Sequence, residues 1–340
     1  MKKIAILVFF TVGFFVHVWA CTGLIAGKQA TVDGSVLVTY SADSHTLYGA
    51  LTSSPAADWP KGSMRSIVEW DTNKPLGEIE QVEHTYAVIG NMNEHQLTVV
   101  ESTWGGRPEL VDTTGIIDYG SLMQLALERA KTAREAIKVM TGLVKKYGYY
   151  SSGESFTIAD PNEAWILDLI GKGPGRRGAV WVAVRIPDDC IAGHANYPRI
   201  HKIPMDDKEN CLYSPDVISF AREMGYFDGL NKDFSFARAY SPADFGALRA
   251  CDARVWSFFR KYDSSMDNYL PYVNGESAEP FPLYVKPSRK LSVQDMKEAM
   301  RDHFEDTPFD MTQDVGAGPF KVPYRFRPMS FEVDGKSYCM

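Results

Sequence analysis

The stretch that points to the fold reads CTGLIAGKQATVDGSVLVTYSADS, residues 21–44. Gly23 to Ala30 is apolar and extended, Asp33-Gly34 is a turn sequence, and Ser35 to Ser41 alternates like a second strand. Asp-Gly between two apolar runs favours a β-hairpin, because both residues accept the backbone angles of a tight turn. We therefore predict a hairpin that begins next to Cys21.

The 20 residues before this hairpin have a composition of their own. Two lysines precede an apolar run from Ile4 to Phe15, and the segment closes on Ala20. A basic start, a short apolar middle and a small final residue are typical of a secretory signal peptide, and a buried N-terminal helix is the alternative. We expect residues 21–340 to be exported to the periplasm or the extracellular space. The run is short for a membrane span and no second candidate follows, so no stable membrane insertion is expected.

Composition and charge narrow the function classes. The 340 residues carry a formal net charge of -7 and are 45% hydrophobic, which indicates an ordinary globular protein without a polybasic surface for nucleic acid or lipid. None of the five cysteines forms a CxxC pair, so no metal site is predicted. Cys190 and Cys211 are a candidate disulfide in an oxidising compartment, with buried free thiols as the alternative.

The rest of the chain alternates between strand-like and helix-like segments. The predicted strands are Tyr86–Ile89, Leu97–Val100, Ser155–Ala159, Ala164–Ile170 and Val180–Ile186, and residues 119–147 predict two helices. Ser214, Ser241 and Ser292 each resemble a helix N-cap, and residues 274–287 resemble a proline-rich surface loop. Because short turns join the strands, we predict an α+β fold with antiparallel sheets.

Cys21 becomes the first residue if cleavage follows Ala20. It then carries a thiol, with an ordinary pKa of about 8.5, and a free α-amine that titrates at about 7.7–8.0. The amine can take the thiol proton and later protonate a leaving nitrogen, so one residue supplies nucleophile and base. Two alternatives remain open: a bacterial lipoprotein whose cysteine is acylated, which would block the amine, and a structural buried cysteine.

Several motifs resemble one family. They are Cys21–Lys28, Asp33-Gly34-Ser35, Ala42-Asp43-Ser44, Tyr149–Phe156 and Ala192–Pro198. Together they resemble the cysteine dipeptidases, a branch of the N-terminal nucleophile (Ntn) hydrolases related to bile salt hydrolases and penicillin V acylases. The resemblance covers the chain from residue 21 to residue 340, taken as one domain. It implies a four-layer αββα sandwich of two antiparallel sheets, and it implies no metal or cofactor.

The resemblance also implies catalytic roles. Cys21 matches the nucleophile, Asp43 the aspartate that holds its amine, and Asn196 the side-chain donor to the oxyanion. Thr103 corresponds to the second, backbone donor, and Arg254 to a late arginine of the site. Taken alone, Asp43 and Asn196 could be turn residues, and Arg254 could form a surface ion pair.

Three further residues are candidates for contact with substrate. Glu154 could bind a free amine or be a solvated loop charge. His45 could contact substrate or be an ordinary surface histidine, and Trp104 could line the pocket or pack against a turn. The sequence departs from the bile-acid branch at Tyr40 and Ser41, where that branch has arginine and asparagine. The resemblance therefore favours dipeptides over bile-acid amides as substrates.

Three functions follow in order of preference. The first is hydrolysis of dipeptides through a thioester on Cys21, and the second is an acylase of other small amides such as N-acyl amino acids. The third is a lipid-anchored binding protein without activity. Family members usually continue beyond the strand-like Met329–Val333, so we expect a truncated chain with poor solubility and low activity. Side-chain preference and oligomeric state, a homo-oligomer included, are left open.

Overall fold

The computed structural model describes residues 21–43, 49–324, 330–333 and 336–339. The strands of this part of the chain are β1 (Thr22–Ala26), β2 (Leu37–Ser41), β3 (Ser53–Ser54), β4 (Ala57–Asp58), β5 (Met64–Val68), β6 (Pro75–Glu80), β7 (His84–Thr85), β8 (Val88–Ile89), β9 (Met92–Asn93), β10 (Thr98–Trp104), β11 (Gly153–Ala159), β12 (Ala164–Gly171), β13 (Ala179–Ile186), β14 (Ile191–His194), β15 (Cys211–Tyr213), β16 (Tyr284–Val285), β17 (Ser330–Val333) and β18 (Lys336–Cys339).

The α-helices are α1 (Tyr119–Arg129), α2 (Ala133–Tyr147), α3 (Val217–Glu223), α4 (Phe236–Tyr240), α5 (Ala253–Arg260), α6 (Leu270–Val273) and α7 (Val293–Ala299). Among the described residues, no helix is both long and apolar enough to cross a membrane.

Two antiparallel sheets dominate the fold. The larger has the order β15-β13-β12-β11-β10-β9-β8-β3, and the smaller has the order β16-β14-β1-β2. Three two-stranded ribbons accompany them: β4-β7, β5-β6 and β17-β18. The predicted α+β class and the antiparallel pairing are therefore confirmed.

The predicted hairpin is present as β1 and β2, paired so that Ile25 faces Val38. The predicted pair of helices is also present. Asp118 caps α1 by accepting from the Ser121 N–H, and Thr132 caps α2 by accepting from the Glu135 N–H. Side-chain acceptors at these positions satisfy N–H groups that the helix itself leaves without partners.

Three apolar clusters divide the buried side chains. In the first, α1 and α2 pack on the larger sheet through residues such as Met140 and Leu167. The second combines Ile25 and Ala192 of the smaller sheet with Ile166 of the larger one. The third places Leu24 of the smaller sheet against α5, α6 and α7. Consecutive residues such as Leu24 and Ile25 enter different clusters because side chains alternate between the two faces of a strand.

Some details of the sequence prediction are wrong. Cys190 and Cys211 are free thiols in the structure, as the alternative expected, and so are Cys21 and Cys251. Tyr284 and Val285 lie inside the predicted loop but form β16, which pairs with β14.

Candidate active site

The pairing of the smaller sheet brings three candidate residues to one of its ends. The last pairs at this end are Thr22 with Ser41, between β1 and β2, and Gly23 with His194, between β1 and β14. Cys21, Asp43 and Asn196 lie just beyond these pairs, each next to the end of one of the three strands. Gly23 permits this close packing, because a Cβ there would lie 2.8 Å from His194 Nε2. Residues far apart in sequence therefore meet beside Cys21.

The Cys21 thiol is buried, with 3% of the residue exposed. Burial raises the pKa of the thiol strongly, and the nearby Glu101 and Glu154 carboxyls raise it further, while the Asp43 backbone N–H lowers it. The thiol is therefore protonated near neutral pH and needs a base before it can attack. An α-ammonium, formed if residues 1–20 were removed, would place a positive charge beside the thiol and lower its pKa.

Arg254, at the start of α5, connects Cys21 with Asn196. Its Nη1 donates to the Cys21 carbonyl at 2.8 Å and to the Thr22 hydroxyl at 2.7 Å. Its Nη2 donates to Asn196 Oδ1 at 2.8 Å. The guanidinium thus fixes the Asn196 amide so that its oxygen faces Arg254, and its nitrogen points the other way.

Asn196 Nδ2 donates to the Thr103 carbonyl at 2.5 Å. An amide nitrogen carries two protons, so one N–H is engaged with Thr103 and the other can serve an oxyanion. Asn196 also has a φ of 54°, in the left-handed region that few residues other than glycine adopt. The Thr103 carbonyl accepts from Asn196, and the Thr103 hydroxyl donates to Glu154 Oε1 at 2.6 Å. The predicted role of the Thr103 N–H as an oxyanion donor stays a prediction.

Asp43 lies at the rim of the same site. The residue is exposed overall, yet partial desolvation raises the pKa of its carboxyl, and the Arg254 charge lowers it. Asp43 lines the cavity that also contains Cys21.

The three substrate candidates differ in placement. Glu154 is fully buried on β11, so its interpretation as a solvated loop charge is wrong. Trp104 is 2% exposed and lies in the second apolar cluster, where its indole Nε1 donates to Ser155 Oγ at 3.2 Å. It is not among the residues that line the Cys21 cavity. Its placement matches the packing alternative. His45 lies outside the described residues.

Sequence reasoning missed most of the cavity wall. A cavity of about 250 Å³ opens beside Cys21, and its lining includes Tyr40, Asp71, Glu101 and Tyr119. Tyr40 OH donates to Glu101 Oε1 at 2.5 Å, and Tyr119 OH donates to Asp71 Oδ1 at 2.9 Å. Glu101 could have been suspected, because it is the single charged residue of the strand Thr98–Trp104, and a charged side chain is rarely buried without a partner.

Comparison with known proteins assigns the chain to a family. The family described as Peptidase family C69 matches residues 20–340. A "Probable dipeptidase" of Salmonella dublin is 28% identical over 318 residues, which are 86% of this chain and 68% of the relative. A "Probable dipeptidase" of Latilactobacillus sakei is 25% identical over 94% of this chain and 67% of the relative. "Dipeptidase A" of Lactobacillus helveticus is 25% identical over 90% of this chain and 66% of its own length. The chain spans about two thirds of the length of these relatives.

Proposed function

Because the chain belongs to peptidase family C69, a family of cysteine peptidases, we propose that it is a dipeptidase with Cys21 as its nucleophile. The observation that carries the proposal is the Arg254 guanidinium, which joins the Cys21 carbonyl to the Asn196 amide. A nucleophile and an oxyanion donor fixed by one rigid group are the parts that acyl transfer requires. The names of the curated relatives support a dipeptide substrate.

The proposed reaction begins after residues 1–20 have been removed as a signal peptide during export. The freed α-amine of Cys21 takes the thiol proton, and the thiolate attacks the carbonyl carbon of the substrate. Asn196 Nδ2 donates to the oxyanion, and the Thr103 N–H is proposed as the second donor. The C–N bond breaks, the ammonium of Cys21 returns its proton to the leaving amine, and water hydrolyses the thioester to release the acid.

We also propose that the layers stack as helices, sheet, sheet and helices, the sandwich implied by the resemblance. The first and third apolar clusters lie where helices pack on a sheet, and the second includes residues of both sheets together with α3 and α4, which supports this arrangement. Cys21 then lies at the end of an inner strand, beside the cleft between the sheets. A small peptide is the proposed partner, and the periplasm or the extracellular space is the proposed location.

The test is Cys21→Ala in protein exported by its native host, with the N-terminal mass determined first. We expect an unmodified Cys21 at the N-terminus, hydrolysis of dipeptides by the parent, and none by the variant, which should keep a cooperative melt. Cys190→Ala is the matched control, because Cys190 is a buried thiol outside the cavity lining. Activity that survives Cys21→Ala, or an acylated Cys21 in the active protein, would refute the mechanism.

A further inference from the structure

Glu101 occupies an unusual position for a carboxylate. It is 2% exposed on β10 and lines the Cys21 cavity. Its Oε1 accepts from Tyr40, but its Oε2 is buried and has no hydrogen-bond partner in the described part of the chain. A buried carboxylate oxygen without a partner costs free energy, which either a proton shared with a neighbouring acid or a bound cation would offset.

The charged side chains that line the cavity around Glu101 are all acidic. Asp43, Asp71 and Glu101 line it, and its described lining contains no lysine, arginine or histidine. Only Asp43 is close enough to a cation, Arg254, for its pKa to be lowered; Asp71 and Glu101 each accept from a neutral phenol. Asp71 is half-buried and Glu101 is buried, so Glu101 is the carboxylate that a bound cation would stabilise most.

A second buried acid lies next to Glu101. Glu154 is fully buried, accepts from the Thr103 hydroxyl at 2.6 Å, and also has an Oε2 without a partner among the described residues. Burial raises the pKa of both carboxyls, and the proximity of Glu101 raises that of Glu154 further. Two desolvated carboxyls side by side hold a proton in the absence of a cation, and a bound cation can replace that proton.

Glu101 lines the same cavity as the nucleophile, so it can meet a cation that lies next to the reacting carbon. The Cys21 thiol is close enough to Glu101 to lower the pKa of its carboxyl. In a dipeptide, only the α-carbon separates the ammonium nitrogen from the carbonyl carbon that the thiol attacks. A carboxylate beside the thiol therefore meets this ammonium, and no other substrate group of opposite charge lies so near the reacting carbon.

We propose that Glu101 binds the α-ammonium of the substrate and so selects amides with a free amino terminus over N-acylated amides. This proposal deepens the proposed function and rests on it. Tyr40 holds Glu101 through its hydroxyl, and Glu154 lies beside Glu101 as the acid that can carry the shared proton. The cavity volume of about 250 Å³ lies below the ~300–1,000 Å³ of sites for drug-sized ligands, which suits a single amino-acid residue.

The test compares two substrates with two variants. The substrates are a dipeptide with a free amino terminus and the same dipeptide acetylated on that nitrogen. Glu101→Gln keeps the shape of the side chain and removes its charge, and Glu83→Gln, at an exposed position outside the cavity lining, is the matched control. We expect Glu101→Gln to lower kcat/KM for the free dipeptide by about 10- to 100-fold, mainly through KM, and to leave the acetylated substrate unchanged or better hydrolysed.

Equal losses for both substrates would overturn the proposal and would indicate that Glu101 serves the nucleophile instead. If Glu101→Gln lacks a cooperative melt, kcat/KM of the parent protein is measured instead for a dipeptide and for its analogue without the α-amino group. A preference of 10-fold or more for the dipeptide supports the proposal, and equal kcat/KM overturns it while the proposed hydrolase function stands. A parent with a free, unmodified Cys21 that hydrolyses none of these amides overturns both.

Discussion

At the scale of single residues, Asn196 combines an unusual backbone conformation with hydrogen bonds at both ends of its side-chain amide. Its backbone is left-handed, its oxygen accepts from Arg254, and its nitrogen donates to the Thr103 carbonyl. An asparagine tolerates this backbone better than most residues because its short polar side chain can bond locally. A strained residue that is fixed on both ends of its side chain is typical of a functional site, where structure around it maintains the strain.

We predict that Asn196→Gly lowers kcat by about 10²–10³-fold, because one oxyanion donor is lost. Glycine is the better probe, since it accepts a φ of 54° and the loss cannot be assigned to a strained backbone. Asn196→Ala should show the same kinetic loss together with lower stability. Steady-state kinetics and urea unfolding of both variants provide the measurement, and a kcat within a few fold of the parent would remove Asn196 from the mechanism.

At the scale of elements, two of the three predicted helix N-caps are wrong: Ser214 and Ser241, each of which is followed by a proline. Ser214 lies beside β13, where its Oγ accepts from the Trp181 N–H, and α3 begins after Asp216 instead. Ser241 ends α4, and Asp244 accepts from the Ala247 N–H, where the π-helical segment Ala247–Asp252 begins directly before α5. Each predicted cap lies a few residues from the real helix start, because proline excludes a preceding helix without determining where the next one begins.

Ser292 is the predicted cap that the structure confirms. Its Oγ accepts from the Asp295 N–H at 3.2 Å, and Asp295 Oδ2 accepts from the Ser292 N–H at 2.7 Å, which completes a capping box. We predict that Ser292→Ala lowers the free energy of unfolding by about 1 kcal/mol. Ser241→Ala, at a serine that caps no helix start, is the control and should cost less. Urea denaturation compares the two, and equal losses would contradict the assignment of Ser292 as a cap.

The elements that sequence patterns predict best are those with local signals. The β1–β2 hairpin and the helices α1 and α2 follow from turn residues and apolar spacing. The pairing of β14 with β1 joins residues more than 160 positions apart, and no local pattern contains it. The resemblance to a family provided that relation for Asn196, whereas the contact between Tyr40 and Glu101 was not predicted, because nothing in their local sequence links two distant strands.

At the scale of the whole molecule, His194 connects the two sheets. It belongs to β14 of the smaller sheet, its Nδ1 lies 2.6 Å from Ser102 Oγ, and its Nε2 lies 2.9 Å from Thr157 Oγ1, both in the larger sheet. Burial lowers the pKa of His194 to about 3, and the charges of Arg199 and Arg254 contribute. The imidazole is thus neutral in the folded protein, and both of its nitrogens have partners.

This pKa predicts how stability responds to acid. His194 titrates at about 3 when folded and at about 6.5 when unfolded, so the unfolded chain binds a proton first. Its contribution is fully present above pH ~6.5 and is lost as pH falls from there toward 3, by at most about 2 kcal/mol between pH 7 and pH 5. Buried acids with raised pKa values, such as Asp168 at about 6, act in the opposite direction, so the histidine must be isolated by a variant.

We predict that His194→Gln is less stable than the parent at pH 7 and that the difference narrows by about 1–2 kcal/mol at pH 5, because glutamine does not titrate. Urea unfolding of parent and variant at several pH values measures the gap. His84→Gln, at an exposed position on β7, controls for the loss of a histidine. A gap that stays constant with pH would mean that His194 does not stay neutral between the sheets.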